Sequence, residues 1–291
     1  MLDGIADYIQ VWPSHGAGSA YGKALGAVPS STIGYEKRFN PAILAASDEQ
    51  GFVDFILTGQ PEPPLYFANM KRDNKVGPPV LGGVPQPPRI DAAQLRALDG
   101  RRVAIADTRP WEAFRMGHVR NSLSLPLRQT FNTDAGSLIR DDEDIVLIVD
   151  PSRLDEAVRD LIRIGLDRIR GWFDANDLDQ YETSDTPLVT IAEITAEEAP
   201  AMMVSDRVQV LDVRRATEFA GGHMPNAINV AHTRLAARLD EVPKDRHLLV
   251  NCRTGARSAR ACSYLQRLGY EVANLKGGIL AWDLVHVGAD R

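Results

Sequence analysis

A cysteine in a glycine-containing loop is the residue of this sequence best suited to covalent chemistry. The segment from Val250 to Ser258 reads Val-Asn-Cys-Arg-Thr-Gly-Ala-Arg-Ser, with a short apolar run before it and a helical pattern after it. A loop between a parallel strand and a helix N-terminus collects backbone N–H groups around one point, which favours an anion. Arg253 and Arg257 add positive charge, so we expect Cys252 to be a thiolate near neutral pH. Such a cradle suits a sulfur nucleophile that takes a group from an anionic donor and holds it covalently.

Two further observations, one on the loop glycine and one on the second cysteine, bear on this prediction. Gly255 lets the backbone curl around the sulfur without a Cβ clash. The second cysteine, Cys262, lies mid-helix among small and apolar residues and has no neighbouring cation that would favour its thiolate. We therefore interpret Cys262 as a core residue, with a redox or resolving role as the alternative. The alternative for Cys252, a small buried residue at a strand end, does not explain the flanking arginines.

The elements that position this loop belong to an internal repeat. Residues 107–125 and 212–230 share Asp, Arg, Phe, Gly, His and Asn in the same order, at a constant offset of 105. The repeat continues with two short apolar runs, Ile145–Asp150 and His247–Asn251, which suit buried parallel strands. We call residues 89–188 the first repeat and residues 189–291 the second repeat.

A helical pattern follows each apolar run, and each pattern ends at a glycine, as helices often do. We predict helices from Leu154 to Ile164 and from Ser258 to Leu268. Between strand and helix, the first repeat is about three residues shorter than the second.

The first repeat has no thiol in its loop. Cys252 aligns with Asp150-Pro151-Ser152, and no histidine or second acid is placed by the sequence to activate Ser152 as a nucleophile. We therefore expect the first repeat to pack against the second repeat or to lend surface to it.

The second repeat resembles the rhodanese sulfurtransferases. The resemblance covers about the last hundred residues and rests on residues 211–214, 218–219, 222–229, 252–257 and 275–278, with Trp282. It implies that Cys252 carries a sulfane sulfur as a persulfide and is the catalytic residue. It also implies donor binding by the rest of the loop, which comprises Arg253, Thr254, Gly255, Ala256 and Arg257.

The resemblance further implies a supporting role for three residues of the repeated motif. Asp212 and Arg214 form the family's Asp-x-Arg motif and would brace the domain from the strand end. His223, like His118 in the first repeat, follows a glycine of the same motif. A hydrogen bond that supports the fold is the favoured role for both histidines, and a metal site is the alternative.

The first ninety residues resemble the tail of a metallo-β-lactamase-fold domain. The resemblance rests on residues 11–22, 29–34 and 60–70, and is closest to persulfide dioxygenases fused to two rhodanese domains, the first without its cysteine. The His-x-His-x-Asp-His cluster that builds most of that family's metal centre is absent, and Tyr21 stands where such proteins often have a cysteine. His15 alone cannot supply the three or four ligands a metal needs. We therefore expect no metal site, no cofactor and no dioxygenase activity, in a chain that resembles the C-terminal part of a longer protein.

Together these features predict an α/β fold with two tandem rhodanese-like domains, each a parallel sheet flanked by helices. A remnant of a metallo-β-lactamase-like domain precedes them. The predicted boundaries are a remnant at 1–75, a Pro/Gly-rich linker at 76–88, an inactive rhodanese-like domain at 89–188 and a catalytic rhodanese domain at 189–291. Within the remnant, Ser47 and Gln50 predict a capping box that opens a short helix.

Composition restricts the partners and the setting. The 291 residues are 44% hydrophobic and 25% charged, which is typical of a globular protein. The 39 acidic and 33 basic residues give a net charge of -6, which argues against general nucleic-acid binding. No apolar run reaches the roughly 18 residues of a membrane span. Two cysteines and no visible secretory signal predict a cytoplasmic location.

Three functions are consistent with these residues. The first is a sulfurtransferase that moves sulfur from thiosulfate or a low-molecular-weight persulfide to a thiol or cyanide. The second is a cysteine-dependent phosphatase or arsenate reductase, but Arg257 follows Cys252 by five residues, whereas phosphatases that resemble this fold use six. The third is a non-catalytic interaction module. The expected partners are a small anionic sulfur donor and a thiol acceptor, and the sequence suggests either a homo-oligomer or association with a metallo-β-lactamase-like dioxygenase domain.

Overall fold

The computed structural model describes residues 4–13, 30–58 and 63–286. The chain divides into two compact units at residues 61 and 62. The predicted α/β class, with parallel sheets flanked by helices, is confirmed. Among the described residues, no helix has the length and apolar character needed to cross a bilayer.

The first unit contains a two-stranded antiparallel ladder and three short helices. Its elements are β1 (Gln10–Val11), β2 (Ser31–Thr32), α1 (Ile33–Phe39), α2 (Pro41–Ala45) and α3 (Glu49–Leu57). The predicted capping box at α3 is wrong by one residue, because the Asp48 side chain accepts the hydrogen bond from the Gly51 N–H. The predictions made for His15 and Tyr21 lie outside the described residues.

The second unit begins with a helix and then carries the first repeat. Helix α4 (Tyr66–Val76) packs its Tyr66 ring against Gly136, and residues 77–88 form neither helix nor strand. The elements of the first repeat are α5 (Ala92–Arg96), β3 (Val103–Asp107), α6 (Trp111–Met116), β4 (Leu123–Ser124), α7 (Phe131–Leu138), β5 (Asp144–Val149), α8 (Leu154–Ile162), β6 (Ile169–Asp174) and α9 (Leu178–Tyr181).

The second repeat follows the same order of strands and helices. Its elements are β7 (Ala192–Ile194), α10 (Ala199–Met203), β8 (Val208–Asp212), α11 (Ala216–Ala220), β9 (Ile228–Asn229), β10 (His247–Asn251), α12 (Ala256–Arg267), β11 (Val272–Leu275) and α13 (Gly278–His286). Helices α8 and α12 end before the predicted limits. Gly165 and Gly269 follow them with φ of +77° and +85°, a backbone conformation that favours glycine.

Each repeat forms a parallel sheet with matching strand order. The first sheet runs β4-β3-β5-β6 and the second runs β7-β11-β10-β8-β9. In the first repeat, the position equivalent to the outer strand β7 is held by an isolated β-bridge, in which Arg89 pairs with Trp172 of β6. The buried central strands explain the continuous apolar runs in the sequence.

The recurring asparagine of the motif has a conformational cause. Asn121 and Asn226, 105 positions apart, have φ of +66° and +56°, the only non-glycine residues with positive φ in the described part of the chain. Asparagine tolerates the left-handed region better than most residues, so both repeats use it at the same turn before the next strand.

The two repeats share one hydrophobic core. Leu123 and Leu125 of the first repeat and Cys262 and Leu265 of the second lie in the same buried cluster. Helix α12 is the element where they meet, and it is buried over most of its length. The loop that precedes α12 is therefore fixed by both repeats.

Candidate active site

Cys252 lies immediately beyond the C-terminal end of the central strand β10. Its side chain is only 1% exposed, so the sulfur sits beneath the loop. The hydroxyl of Ser258, one turn into α12, lies 3.4 Å from Sγ and 3.1 Å from the carbonyl oxygen of Gly255. The single hydroxyl proton serves one acceptor at a time, and an anionic sulfur is the stronger acceptor.

The loop leaves a group of backbone N–H donors without acceptors. Gly255 caps α12 with φ of +88°, and the first helical N–H to find a partner in the described chain is that of Ala259, which donates to Gly255. The N–H groups of residues 253–258 donate to no described oxygen. Unpaired amides at a helix N-terminus form a binding site for an anion.

Helix α13 holds the other side of the loop. The N–H groups of Ile279 and Leu280 donate to the carbonyls of Cys252 and Arg253, at 2.7 and 3.2 Å. Gly278 has φ of +60°, and a Cβ there would overlap the carbonyl oxygen of Cys252. The glycine is therefore required for this close approach.

Arg257 is paired with an acid rather than left free. Its guanidinium donates two hydrogen bonds to Glu218 of α11, at 2.7 and 2.8 Å. The hydrogen bond from Arg257 lowers the pKa of Glu218 to about 2. Arg253 and Thr254 are exposed, and Arg253 makes no ion pair with any described residue. The loop's unpaired cation is therefore Arg253.

The Asp-x-Arg motif forms a buried fork beside the loop. Arg214 donates to both carboxylate oxygens of Asp212 and, at 2.6 Å, to the carbonyl of Gly222. Asn251, the residue before Cys252, donates to the same carboxylate at 3.3 Å. This geometry supports the predicted bracing role. The first repeat has the same fork, formed by Asp107 and Arg109.

The two motif histidines make matching contacts within their own repeats. His118 and His223 lie 2.9 and 3.1 Å from the carbonyls of Phe114 and Phe219 through Nδ1, and each ring stacks on that phenylalanine at 3.9 Å. His118 is fully buried, whereas His223 is exposed. Within the described ranges, no group of three or more His, Cys, Asp or Glu residues could hold a metal ion.

Three side chains near the loop were not predicted from the sequence. Ser258 is adjacent to the sulfur, Arg260 donates to the carbonyl of Ala256, and the charges of Arg257 and Arg260 act on His232. Burial lowers the pKa of His232 to about 4, with a further contribution from Arg257 and Arg260, so its imidazole is neutral at pH 7. Arg260 is 3% exposed and pairs with Asp134 of the first repeat at 2.7 Å. The helical spacing of Arg260 could have suggested a position near the loop, but its partner lies 126 residues away.

Cys262 is unsuited to chemistry in the folded protein. It is fully buried in the core shared by the repeats. Burial raises the pKa of its thiol, and the negative charge of Cys252 acts in the same direction. The thiol is therefore protonated and inaccessible.

A cleft of about 410 Å³ lies beside the loop, and both repeats line it. The second repeat contributes Thr254, Gly255, Ala256, Arg260 and Lys276, and the first contributes Thr108, Trp111, Leu127, Arg128 and Arg153. The first repeat thus forms one wall of this cleft beside the cysteine loop.

The loop of the first repeat closes on itself instead of forming a cradle. The carboxylate of Asp150 accepts hydrogen bonds from the N–H and the hydroxyl of Ser152, at 2.8 and 2.6 Å. These bonds lower the pKa of Asp150, so the loop of the first repeat carries a negative charge at the position that aligns with Cys252.

Known proteins of similar sequence match the second repeat. The family model described as rhodanese-like domain matches residues 195–284. A protein named sulfurtransferase from Allochromatium vinosum is 43% identical over 79 residues, which cover 27% of this chain and 74% of the relative. The chain belongs to the rhodanese-like family. The thiosulfate sulfurtransferase GlpE of Shewanella oneidensis is 35% identical over 82 residues, 28% of this chain and 81% of that rhodanese-like relative.

One solved structure is similar to a longer part of the chain. It is a metallo-beta-lactamase from Staphylococcus aureus subsp. aureus COL, with 36% identity and a TM-score of 0.47. The similarity covers 60% of this chain and 47% of the other, so this chain spans about half the length of that structure.

Proposed function

We propose that the protein is a sulfurtransferase in which Cys252 carries a sulfane sulfur between an anionic donor and a thiol or cyanide acceptor. The observation that carries the proposal is the set of unpaired N–H groups from residue 253 to residue 258, in the loop that directly follows a buried cysteine. The names of the two relatives, sulfurtransferase and thiosulfate sulfurtransferase, support the same class of reaction.

In the first half-reaction, the Cys252 thiolate attacks the outer sulfur of thiosulfate or the terminal sulfur of a persulfide. The S–S bond of the donor breaks, and sulfite or a thiolate leaves with the electron pair. The new S–S bond makes Cys252 a persulfide. The terminal sulfur carries negative charge, which the loop N–H groups stabilise.

In the second half-reaction, the acceptor attacks the terminal sulfur. The S–S bond to Cys252 breaks, the acceptor leaves as thiocyanate or a persulfide, and the cysteine returns to a thiolate. The hydroxyl of Ser258 donates to Sγ as this charge returns. Each half-reaction is one displacement, so the kinetics are ping-pong.

The remaining regions have supporting roles in this proposal. The first repeat is an inactive rhodanese-like domain, because Asp150 and Ser152 replace the thiol. The region before the linker is a remnant of a metallo-β-lactamase-like domain. The proposed domain boundaries and partners are those predicted from the sequence.

The test combines turnover with intact mass. The purified chain is incubated with thiosulfate, and its intact mass is measured by mass spectrometry. Thiocyanate formation with cyanide as acceptor is assayed in parallel, and both measurements are repeated on Cys252→Ser and the matched control Cys262→Ala. We expect a gain of about 32 Da, one sulfur atom, in the wild type and in Cys262→Ala but not in Cys252→Ser. Turnover that survives in Cys252→Ser would refute the proposal. The phosphatase or reductase alternative would be favoured by two results together. Neither thiosulfate nor a glutathione persulfide would give an adduct, and the protein would hydrolyse a phosphate ester or reduce arsenate.

A further inference from the structure

The cleft beside Cys252 contains an arginine with one unpaired arm. Arg260 is buried, its Nε donates to Asp134 Oδ2 at 2.7 Å, and its Nη1 donates to the carbonyl of Ala256. Its Nη2 is buried and has no hydrogen-bond partner among the described residues. A buried charged donor without a partner is costly, and Arg260 lines the cleft, so an anionic ligand that reaches Nη2 would be stabilised.

The orientation of Arg260 is set by the repeat that lacks the thiol. Asp134 belongs to α7 of the first repeat, and its side chain is almost as buried as that of Arg260. Thr130 holds the same carboxylate oxygen with a hydroxyl donor at 2.9 Å. The carboxylate fixes the guanidinium plane at Nε, which leaves Nη2 as the free arm.

A second cation of the first repeat lines the same cleft. Arg128 is exposed and has no ion pair with any described residue. Arg128 and Arg260 line this cleft together. Burial lowers the pKa of Arg260, and the charge of Arg128 adds to that lowering. Two cations that line one cleft favour an incoming anion.

The acids of the cleft do not neutralise this pair. Glu193 accepts hydrogen bonds from Trp111 at 2.9 Å and Asn274 at 3.1 Å, and lies 3.5 Å from Arg115. Glu112 also pairs with Arg115, at 2.7 Å. Neither carboxylate is therefore paired with Arg128 or Arg260.

We propose that the first repeat completes the substrate site: Asp134 orients Arg260 so that its Nη2 binds the anionic group of the sulfur donor, and Arg128 binds the same group from the opposite wall. The inference rests on the proposed sulfur transfer. In the reaction with thiosulfate, the bound group is the sulfonate that leaves as sulfite, so the two arginines face the oxygens that gain charge as the S–S bond breaks. Asp134 is a positioning residue, and the two arginines are binding residues.

The test compares two donors that differ in charge at this group. Thiosulfate carries a charged sulfonate, whereas methanethiosulfonate carries an uncharged methylsulfonyl group. Arg128→Ala should raise KM for thiosulfate about tenfold through the loss of a charge-assisted hydrogen bond, with a much smaller change for methanethiosulfonate. Arg128→Lys should recover most of the affinity, and Asp134→Asn should lower kcat/KM selectively for thiosulfate. The charge-matched control is Arg159→Ala, which removes an exposed arginine of α8 whose ion pair within the described residues is with Asp155.

A binding measurement separates this inference from the proposed function. Thiosulfate is titrated calorimetrically into Cys252→Ser, with and without Arg128→Ala, where no sulfur can move. Weaker binding in the double variant supports the composite site even if turnover is absent. Equal thiosulfate affinity in both proteins would overturn the inference while leaving Cys252 as the sulfur carrier. The same conclusion would follow if Arg128→Ala left the KM of each donor at its wild-type value.

Discussion

Nη2 of Arg267 lies 2.7 Å from a carboxylate oxygen of Glu143, and this ion pair joins helix α12 of the second repeat to the first repeat. The Nε of Arg267 donates to the carbonyl of Gly100, also at 2.7 Å, and the arginine side chain is only 4% exposed. Two buried contacts from one side chain thus tie the helix that starts at the cysteine loop to the neighbouring sheet.

Arg267→Ala should weaken the whole second unit. Removing one member of a buried pair leaves the other charge poorly compensated, so we expect a loss of about 3 kcal/mol in the free energy of unfolding. Urea denaturation followed by tryptophan fluorescence measures it. Arg163→Ala, which removes an exposed pair with Asp160, should cost less than about 1 kcal/mol. Equal losses in both variants would show that the Arg267 contacts do not stabilise the protein.

Gly278→Ala should inactivate the protein without unfolding it. The new Cβ would overlap the carbonyl oxygen of Cys252, and the alanine would have to adopt a positive φ. Both effects would shift the loop. We expect thiosulfate turnover to fall at least about tenfold, because catalytic groups tolerate little displacement. Gly269→Ala is the matched control, since its φ is also positive but its Cβ meets nothing within 4 Å. It should cost about 1 kcal/mol of stability and leave turnover near wild type. Retained activity in Gly278→Ala would contradict the role of this contact.

His232 should make the protein less stable as the pH falls. Its pKa of about 4 in the folded protein is below the ordinary value, so the unfolded chain binds a proton first. The stabilisation is complete above about pH 6.5 and is lost as the pH falls through 4. In His232→Gln the free energy of unfolding should fall less steeply over this window, by on the order of 1 kcal/mol per pH unit. Urea denaturation at several pH values between these limits provides the test, and parallel curves for the two proteins would refute the assignment.

Cys262 should be unreactive until the protein unfolds. The thiol is fully buried and its pKa is raised by burial, so both access and ionisation are suppressed. In a Cys252→Ser background, iodoacetamide at pH 8 should leave the native protein unmodified and should alkylate one residue per chain in urea. Mass spectrometry counts the adducts. Rapid alkylation of the native protein would instead revive the redox role that the sequence left as an alternative.

The parts of the fold that local patterns encode were predictable. The apolar runs predicted the central strands to within a residue, since continuous hydrophobicity is typical of strands buried on both faces. The recurrence of Asn121 and Asn226 was visible in the sequence, but its cause, a positive φ at one turn of each repeat, came from the structure. The start of α3 was misplaced because Ser47 and Asp48 are both good caps, and only the hydrogen bond to Gly51 distinguishes them.

The chemistry of the loop could be predicted only in part. The cysteine, the loop and the helix that follows are contiguous in sequence, so their proximity required no tertiary information. The pairing of Arg257 with Glu218, across 39 residues, and of Arg260 with Asp134, across 126, depends on how separate elements pack. Nothing in the spacing distinguished the paired Arg257 from the unpaired Arg253, because a side chain's partner is set by the fold and not by its neighbours.

The short connection between the repeats has a consequence for how the cleft is assembled. Residues 182–191 are all that separate α9 of the first repeat from β7 of the second. If the two repeats were separate chains, they would have to associate to bring Asp134 to Arg260, and they would dissociate on dilution. A short tether instead holds the walls at an effective concentration on the order of millimolar, so the cleft forms to the same extent at any protein concentration. The thiol-free repeat is, in this sense, a subunit that cannot dissociate.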